Sequence, residues 1–143
     1  MRQDARVQTS PVVLRRLVRA RELIADAYAE PLTLERMARE AGLSRFHLLR
    51  AFRATFGETP AEHLRRVRLA RAKELLGRGA GVTEVCLEVG FSSVGSFSTL
   101  FSRAVGQSPD AFRRAVRGFG HVPVVLLSPR IPCCFAMFYG APV

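Results

Sequence analysis

The chain has 143 residues, with 22 Lys and Arg against 12 Asp and Glu, which gives a formal net charge of +10. This length suits one domain with a modest core, and no apolar run approaches the roughly 20 residues that a membrane-spanning helix needs. The basic balance is typical of a nucleic-acid-binding protein, although a solvated basic surface, other acidic partners or a membrane surface fit it too. Residues 1–13 lack the apolar core of a signal peptide, so a cytoplasmic location without membrane association is expected.

The stretch from Pro11 to Glu30 predicts the first helix. Apolar residues recur along it at helical spacing, at Val13, Leu17, Ala20, Ile24 and Ala27. Pro31 disfavours helical geometry at the residue before it, so the helix is expected to end at Glu30. The arginines off this stripe are expected to be solvated or to touch phosphates.

Two short helices joined by a tight turn are predicted in a first unit of about 33–57. Thr33 can cap a helix over 34–41, and Ser44 can cap a second helix over 45–56. Gly42 supplies the turn between them, and Gly57 ends the second helix. This is helix-turn-helix geometry, in which the second helix can enter the major groove of DNA. The residues expected to pack the two helices together are Met37, Ala38, Leu43, Leu48 and Phe52.

A longer helix over 59–76 is predicted next. Thr59 can cap it, Pro60 suits its first position, and Glu62 completes a capping box. The glycine-rich segment 77–81 ends it. At about 1.5 Å per residue, this linker helix spans roughly 25 Å.

A second unit of about 81–106 repeats the pattern of the first. Ala38 corresponds to Cys86, Gly42 to Gly90 and Ser44 to Ser92; after one extra residue, Leu48 corresponds to Phe97, Phe52 to Phe101, Gly57 to Gly106 and Pro60 to Pro109. Ser108 and Pro109 open a last helix over 108–117. The predicted fold is therefore all-α, with two helix-turn-helix subdomains joined by a linker helix and about seven helices.

The C-terminal tail, 118–143, has a different composition. It carries four prolines and many apolar residues, and short extended segments around Ser128-Pro129 are predicted. Cys133 and Cys134 form either a thiol switch or metal site, or a pair packed as small apolar residues, which is the favoured interpretation. Cys86 lies on the apolar side of its helix and is predicted to be a core residue.

The second unit carries Gly90-Phe91, Phe97, Phe101 and Gly106-Gln107-Ser108-Pro109, and the linker carries Arg68-Leu69, Ala72 and Leu75-Leu76. In these motifs the chain resembles the DNA-binding domain of AraC/XylS-type transcription regulators. The resemblance covers about 11–117, and it implies seven helices that place two recognition helices in successive major-groove segments on one DNA face. It also implies a stand-alone DNA-binding domain, because this chain has no room for the effector domain of full-length members.

Four positions depart from the pattern of that family. His63 stands where Tyr is frequent in the linker, Cys86 where Ala is usual, Thr99 where Arg is frequent, and Leu49 where a polar side chain is common. The second unit is therefore expected to bind more weakly, or to read the shape of DNA rather than base edges.

The candidate DNA-binding residues lie on the second helix of each unit. They are Arg45, Phe46, His47, Leu49, Arg50 and Arg53 in the first unit, and Ser93, Val94, Gly95, Ser96, Ser98, Thr99 and Arg103 in the second. Arg50 is the predicted guanine reader, whereas Arg45, Arg53 and Arg103 suit phosphate contacts. Phe46 could meet a thymine methyl group or belong to the core.

No catalytic constellation, phosphate loop or metal-ligand spacing is present, so no enzyme activity, metal or cofactor is predicted. The leading hypothesis is a sequence-specific transcription regulator whose partner is double-stranded DNA, with RNA polymerase as a candidate second partner. The alternative is a protein-interaction, thiol-sensing or ligand-sensing module that uses the C-terminal tail. The sequence leaves the oligomeric state, the operator and the sign of regulation open.

Overall fold

The structure, a computed structural model, describes residues 10–118. The helices in this range are α1 (Pro11–Asp26), α2 (Leu34–Ala41), α3 (Arg45–Phe56), α4 (Pro60–Gly77), α5 (Val82–Glu88), α6 (Val94–Val105) and α7 (Pro109–Gly118). Residues 10–118 contain no strand, so the all-α prediction is confirmed. The predicted extended tail and the Cys133-Cys134 pair lie outside the described residues.

Side-chain caps mark most of the helix starts. The hydroxyls of Thr33, Ser44, Thr59, Ser93 and Ser108 each accept a hydrogen bond from the backbone amide three residues later. At α4 the bond is reciprocated, because the Glu62 carboxylate accepts from the Thr59 amide at 2.7 Å. These caps satisfy backbone donors that have no partner inside a helix, so local sequence fixes where the helices begin.

The prediction for the end of α1 was wrong by four residues. The helix ends at Asp26, and the Glu30 amide donates to the Ala27 carbonyl at 3.0 Å in a turn. Pro31 explains this early end, because it has no amide to complete a helical bond to that same carbonyl. The chain therefore leaves the helix one turn before the proline rather than immediately ahead of it.

Within residues 10–118, the chain divides into two compact units, 10–66 and 67–118, and the division falls within α4. In the first unit, α1 packs against both α2 and α3. Its buried core contains Leu17, Ala20, Ile24, Met37, Ala38, Leu48 and Phe52, as the apolar pattern predicts. Burying these side chains fixes the outward face of α3, because a helix has one apolar stripe and an opposite polar side.

Aromatic rings dominate the core of the second unit. Phe97 lies 5.4 Å from Phe91 and 5.7 Å from Phe101 between ring centroids, and Phe101 lies 5.6 Å from Phe112. Cys86 is fully buried among them, which confirms it as a core residue. Its thiol donates to the Phe91 carbonyl oxygen at 3.7 Å. This core leaves one face of α6 outside, as in the first unit.

In both helix-turn-helix turns, the residue after the turn glycine donates an equivalent backbone hydrogen bond. The Leu43 amide donates to the Ala38 carbonyl at 2.9 Å, and the Phe91 amide donates to the Cys86 carbonyl at 3.0 Å. Gly42 and Gly90 both have positive φ, of 65° and 87°, which side chains rarely tolerate. The predicted correspondence of these positions is confirmed.

The predicted match of Ser44 with Ser92 was wrong. Ser93, not Ser92, caps α6 through the Ser96 amide at 3.3 Å. The extra residue of the second unit therefore lies in the turn, before the cap, rather than inside the recognition helix. The longer turn explains the error, because both serines are polar and either could begin a helix by sequence alone.

The repeat extends beyond the helix-turn-helix units. Leu17, Ala20 and Ile24 of α1 have the same spacing as Leu69, Ala72 and Leu76 in the second half of α4, and all but the half-buried Leu69 are buried. His63 in the first half of α4 packs on Phe52 at 5.7 Å, as Phe112 of α7 packs on Phe101. Each unit thus consists of a supporting helix, a helix-turn-helix and a closing helix.

Candidate nucleic-acid interface

The outer face of α3 carries large and basic side chains. Leu48, Ala51 and Phe52 point into the core, so the opposite side of the helix is exposed. The side chains on that exposed side and its flanks are Arg45, Phe46, His47, Leu49, Arg50 and Arg53. Phe46 is 66% exposed, so the alternative that placed it in the core was wrong. An exposed phenylalanine among arginines is a surface suited to apolar and charged contacts with a partner.

Arg45 is held at the start of α3 by two neighbours. Its Nη1 donates to Glu35 Oε1 at 3.1 Å, and its Cζ lies 5.1 Å from the centroid of the Phe46 ring. The pKa of Glu35 is lowered, chiefly because its carboxylate accepts a hydrogen bond from the Glu35 backbone amide and secondly because it accepts one from Arg45. Because the ion pair is exposed and screened by solvent, it contributes little to stability and leaves Arg45 able to exchange Glu35 for a phosphate.

Arg50 lies one turn further along the same face. Its guanidinium forms no hydrogen bond or ion pair with any other residue between 10 and 118, and the side chain is exposed. A guanidinium in that condition keeps all its donors for a ligand, including the pair that matches the O6 and N7 atoms of guanine. The geometry of the free protein thus fits the predicted role of Arg50.

The outer face of α6 carries small side chains in place of large ones. The candidates Val94, Gly95, Ser96, Thr99 and Arg103 are exposed, while Ser98 is half-buried. The Ser93 hydroxyl is engaged in capping α6. In the described second unit, this face therefore presents backbone, hydroxyl groups, the small apolar side chain of Val94 and the guanidinium of Arg103.

Aligning the two helices at Leu48 and Phe97 shows how their faces differ. Phe46 corresponds to Gly95, Arg50 to Thr99, and Arg53 to Ser102. Ser102 is half-buried and was not among the predicted site residues. Gly57 and Gly106 end the two helices, and aligning the sequence at these glycines would have paired Ser102 with Arg53. The outer face of α3 therefore carries more positive charge than the outer face of α6.

A polar cluster of a buried histidine and two half-buried charged side chains lies beneath α3, and sequence reasoning missed it. His63 is 4% exposed, and its Nδ1 lies 2.7 Å from Glu58 Oε1 and 2.8 Å from Arg66 Nη2. Burial alone would raise the pKa of Glu58, but hydrogen bonds from Arg66 and His63 outweigh burial and lower it. Since the His63 ring also packs on Phe52 of α3, this cluster supports the recognition helix from behind.

Metal and membrane features are absent from the described part of the chain. Between residues 10 and 118, no three His, Cys, Asp or Glu side chains lie close enough together to hold a metal ion. In the same range, no helix combines the length and apolarity needed to cross a bilayer. Burial raises the pKa of the Cys86 thiol, which keeps it protonated and unreactive.

Two compact units, each with a capped second helix whose outer face is free, define the class of helix-turn-helix DNA-binding domains. A family model described as a helix-turn-helix domain matches residues 37–115, more than half of the chain. The chain belongs to this family, in its AraC type, which consists of transcription regulators and not of enzymes.

Curated relatives match through this domain alone. The MmsAB operon regulatory protein of Pseudomonas aeruginosa is 38% identical over 87 residues, which cover 60% of this chain and 28% of that protein. The transcriptional activator RhaS of Escherichia coli is 35% identical over 97 residues, which cover 67% of this chain and 35% of RhaS. The chain thus spans about a third of the length of these relatives.

Two solved DNA-binding domains match along most of their length. The DNA-binding domain of AdpA, a global transcriptional factor, was solved with a target DNA; it is 30% identical, with a TM-score of 0.70, and the match covers 73% of this chain and 96% of that one. The C-terminal domain of AraT, a response regulator from Geobacillus stearothermophilus, is 32% identical, with a TM-score of 0.66 and coverage of 76% and 88%. These structures share the fold of residues 10–118.

Proposed function

We propose that residues 11–117 form one DNA-binding domain that recognises a specific site by placing α3 and α6 in successive major-groove segments of one duplex. The observation that carries this proposal is the outer face of α3, where an unpaired Arg50 lies between exposed Phe46 and Arg53. The AdpA domain, which resembles this chain at a TM-score of 0.70, was solved in complex with a target DNA, which supports DNA as the partner. The charge of +10 supports attraction to a phosphate backbone.

The proposal gives the two helices different tasks. On α3, Arg50 reads a guanine edge, Phe46 and Leu49 meet thymine methyl groups, and Arg45, His47 and Arg53 make polar contacts with phosphate or base edges. On α6, Ser93, Val94, Gly95, Ser96, Ser98 and Thr99 approach the duplex closely, and Arg103 contacts a phosphate. Small residues allow close approach and water-mediated contacts, so α6 reads mainly groove shape.

A regulator of transcription acts where the DNA is, so we place the protein in the cytoplasm and propose RNA polymerase as its second partner. The protein carries out this role without chemical catalysis. A sensing or protein-interaction role for the C-terminal tail is the less favoured function, and that tail lies outside the described residues.

Selection of bound sites from a random DNA pool, followed by footprinting, tests the proposal. The enriched site should contain two contacted segments about 10 base pairs apart on one face of the duplex. The double variant Arg50→Ala/Arg53→Ala should lose the enrichment, whereas Arg15→Ala/Arg19→Ala, which removes the same charge from exposed positions of α1, should keep it. Absence of any enriched sequence, or equal losses in both double variants, would contradict the proposal.

A further inference from the structure

An arginine from the supporting helix reaches the turn of the first helix-turn-helix unit. Arg16 Nη1 donates to the Gly42 carbonyl oxygen at 2.8 Å, although the two residues are 26 positions apart. Gly42 caps the C-terminal end of α2 with a φ of 65°. Carbonyl groups at a helix end have no partner within the helix, so a guanidinium there satisfies a free acceptor and faces the negative end of the helix dipole.

The turn that Arg16 contacts is a connection of three residues, 42–44, between α2 and α3. Only Leu43 separates Gly42 from Ser44, the residue that caps α3. A change in the backbone at Gly42 therefore passes directly into the direction of α3. Because Arg16 comes from α1, it ties this connection to a helix that packs on both α2 and α3.

The second unit has an arginine in the corresponding place. Arg68 precedes Leu69, as Arg16 precedes Leu17, when the matched apolar positions of α4 and α1 are aligned. Its Cζ lies 5.4 Å from the centroid of Phe91, the residue that follows the turn glycine Gly90. The Phe91 ring in turn packs on Phe97 of α6. Both arginines contact the turn of their own unit, Arg16 at the Gly42 carbonyl group and Arg68 at the Phe91 ring.

We infer that Arg16 and Arg68 are positioning residues that set the orientation of α3 and α6 respectively. They act through the turn, so their effect falls on discrimination between bases rather than on attraction to phosphate. The inference rests on the proposed function for its DNA readout, and it also has a readout in the free protein. Neither arginine belongs to the proposed set of contact residues.

Hydrogen exchange in the protein without DNA provides the first test. Arg16→Met keeps the aliphatic stem and removes the donor, while Arg15→Met makes the same change at an exposed neighbour that has no hydrogen bond with residues 10–118. Loss of a charge-assisted bond should raise the exchange rate of the Leu43 amide about tenfold in Arg16→Met and leave it unchanged in Arg15→Met. Equal rates in the two variants would overturn the inference.

Binding measurements provide the second test. Arg16→Met should weaken binding to the selected site about tenfold while changing binding to random duplex by the same small factor as Arg15→Met. The lost discrimination should fall in the half of the site read by α3, and Arg68→Met should lose it in the other half. Arg16→Lys, which keeps a charge and a donor on a shorter stem, is the variant least disruptive to folding and should show the same pattern at a smaller amplitude.

The contrary outcomes are distinct. Arg16→Met could instead lose affinity equally for selected and random DNA, with a slope of log affinity against log salt concentration that is about 0.9 smaller than for Arg15→Met. That result would make Arg16 a phosphate contact and overturn the inference. Loss of discrimination spread evenly over both halves would overturn it too, because that result indicates a general loss of stability. If the unaltered protein shows no preferred site, the proposed function fails instead, and the exchange experiment still decides whether Arg16 holds the turn.

Discussion

The Nδ1 atom of His63 lies 2.7 Å from Glu58 Oε1 and 2.8 Å from Arg66 Nη2. One ring nitrogen cannot donate to the carboxylate and accept from the guanidinium at the same time. Burial, the largest influence, lowers the pKa of His63; the bond to Glu58 opposes this, while Arg66 and the nearby Arg21 add to it. The neutral ring is therefore the form that the fold favours, with a proton on Nδ1 that is donated to Glu58 at 2.7 Å, while Arg66 donates to the same carboxylate at 2.9 Å.

This cluster predicts that acid destabilises the first unit. The pKa of His63 is lower in the folded than in the unfolded protein. Its contribution to the free energy of unfolding is therefore complete above the ordinary pKa of about 6.5, and it is lost as the pH falls below that value and through the lower pKa of the folded protein. The pKa of Glu58 is lowered as well, so a further loss begins near the ordinary carboxyl range, at about pH 4.5. Urea unfolding followed at intervals from pH 8 to about pH 3 measures both steps.

His63→Phe is the matched control, since Phe112 occupies the equivalent place in the second unit and packs on Phe101 as His63 packs on Phe52. The variant should remove the pH dependence between pH 7.5 and 5.5 and keep the step due to Glu58. An unchanged dependence in that window would assign it to another group and contradict the prediction.

Arg50→Ala is expected to weaken the selected site more than random DNA. A bidentate contact with guanine contributes about 1–3 kcal/mol of discrimination. The ratio of affinity for the selected site to affinity for random duplex should therefore fall by roughly 5- to 150-fold, and the preference for guanine at one position of the site should be lost. Arg53→Ala, on the same face of the helix, should weaken selected and random duplex alike. Titrations of both variants with both duplexes measure this; equal losses for Arg50→Ala would reduce Arg50 to a phosphate contact.

Binding should fall linearly on a log–log plot against salt concentration, because each neutralised phosphate releases counterions. If Arg53 and Arg103 each contact one phosphate, replacing either by Ala should reduce the slope by about 0.9. Arg15→Ala removes the same charge from the exposed side of α1 and should leave the slope within error of the original. Titrations between 50 and 300 mM salt decide the matter, and three equal slopes would rule out both phosphate contacts.

Gly95→Ala is expected to separate stability from binding. Among residues 10–118, an added Cβ would meet the Ser93 hydroxyl at an ordinary distance of 3.7 Å. Gly95 lies in the first turn of α6, so alanine should gain less than the roughly 0.5–1 kcal/mol that it gains over glycine in a helix interior. Thermal unfolding should therefore show a more stable protein. Binding to the selected site should nevertheless weaken, because the proposed role of α6 requires close approach at this position.

Gly57→Ala provides the contrast to that variant. Its φ is 76° and no atom lies within 4 Å of an added Cβ, so the change costs about 1 kcal/mol or more through backbone strain alone. Once corrected for the folded fraction, its DNA affinity should match that of the unaltered protein. If Gly95→Ala also binds normally, α6 does not approach DNA at Gly95.

The sequence was sufficient to predict features that depend on local chemistry. Caps such as Thr33 and turn glycines such as Gly42 act within a few residues of themselves, so their roles follow from residue type and spacing. The outer face of α3 followed as well, because the buried stripe of a helix determines its exposed side. These elements together predicted the all-α architecture and the location of the candidate interface.

Features that depend on contacts between distant residues could not be predicted in this way. The bond from Arg16 to Gly42 joins α1 to a turn that sequence spacing does not relate to it. The His63 cluster depends on burial by α3, and the choice of Ser93 over Ser92 depends on where the core of the second unit fixes α6. Each of these required the packed structure, because the residues involved are compatible with several local conformations.

The exposure of Phe46 has a consequence for the free protein in solution. An exposed apolar ring promotes self-association, so in concentrated preparations the protein is expected to associate through the surface around Phe46. Covering it removes apolar area from water, so complex formation should show a negative heat-capacity change. The protein should accordingly be more soluble, and easier to crystallise, together with its duplex than alone.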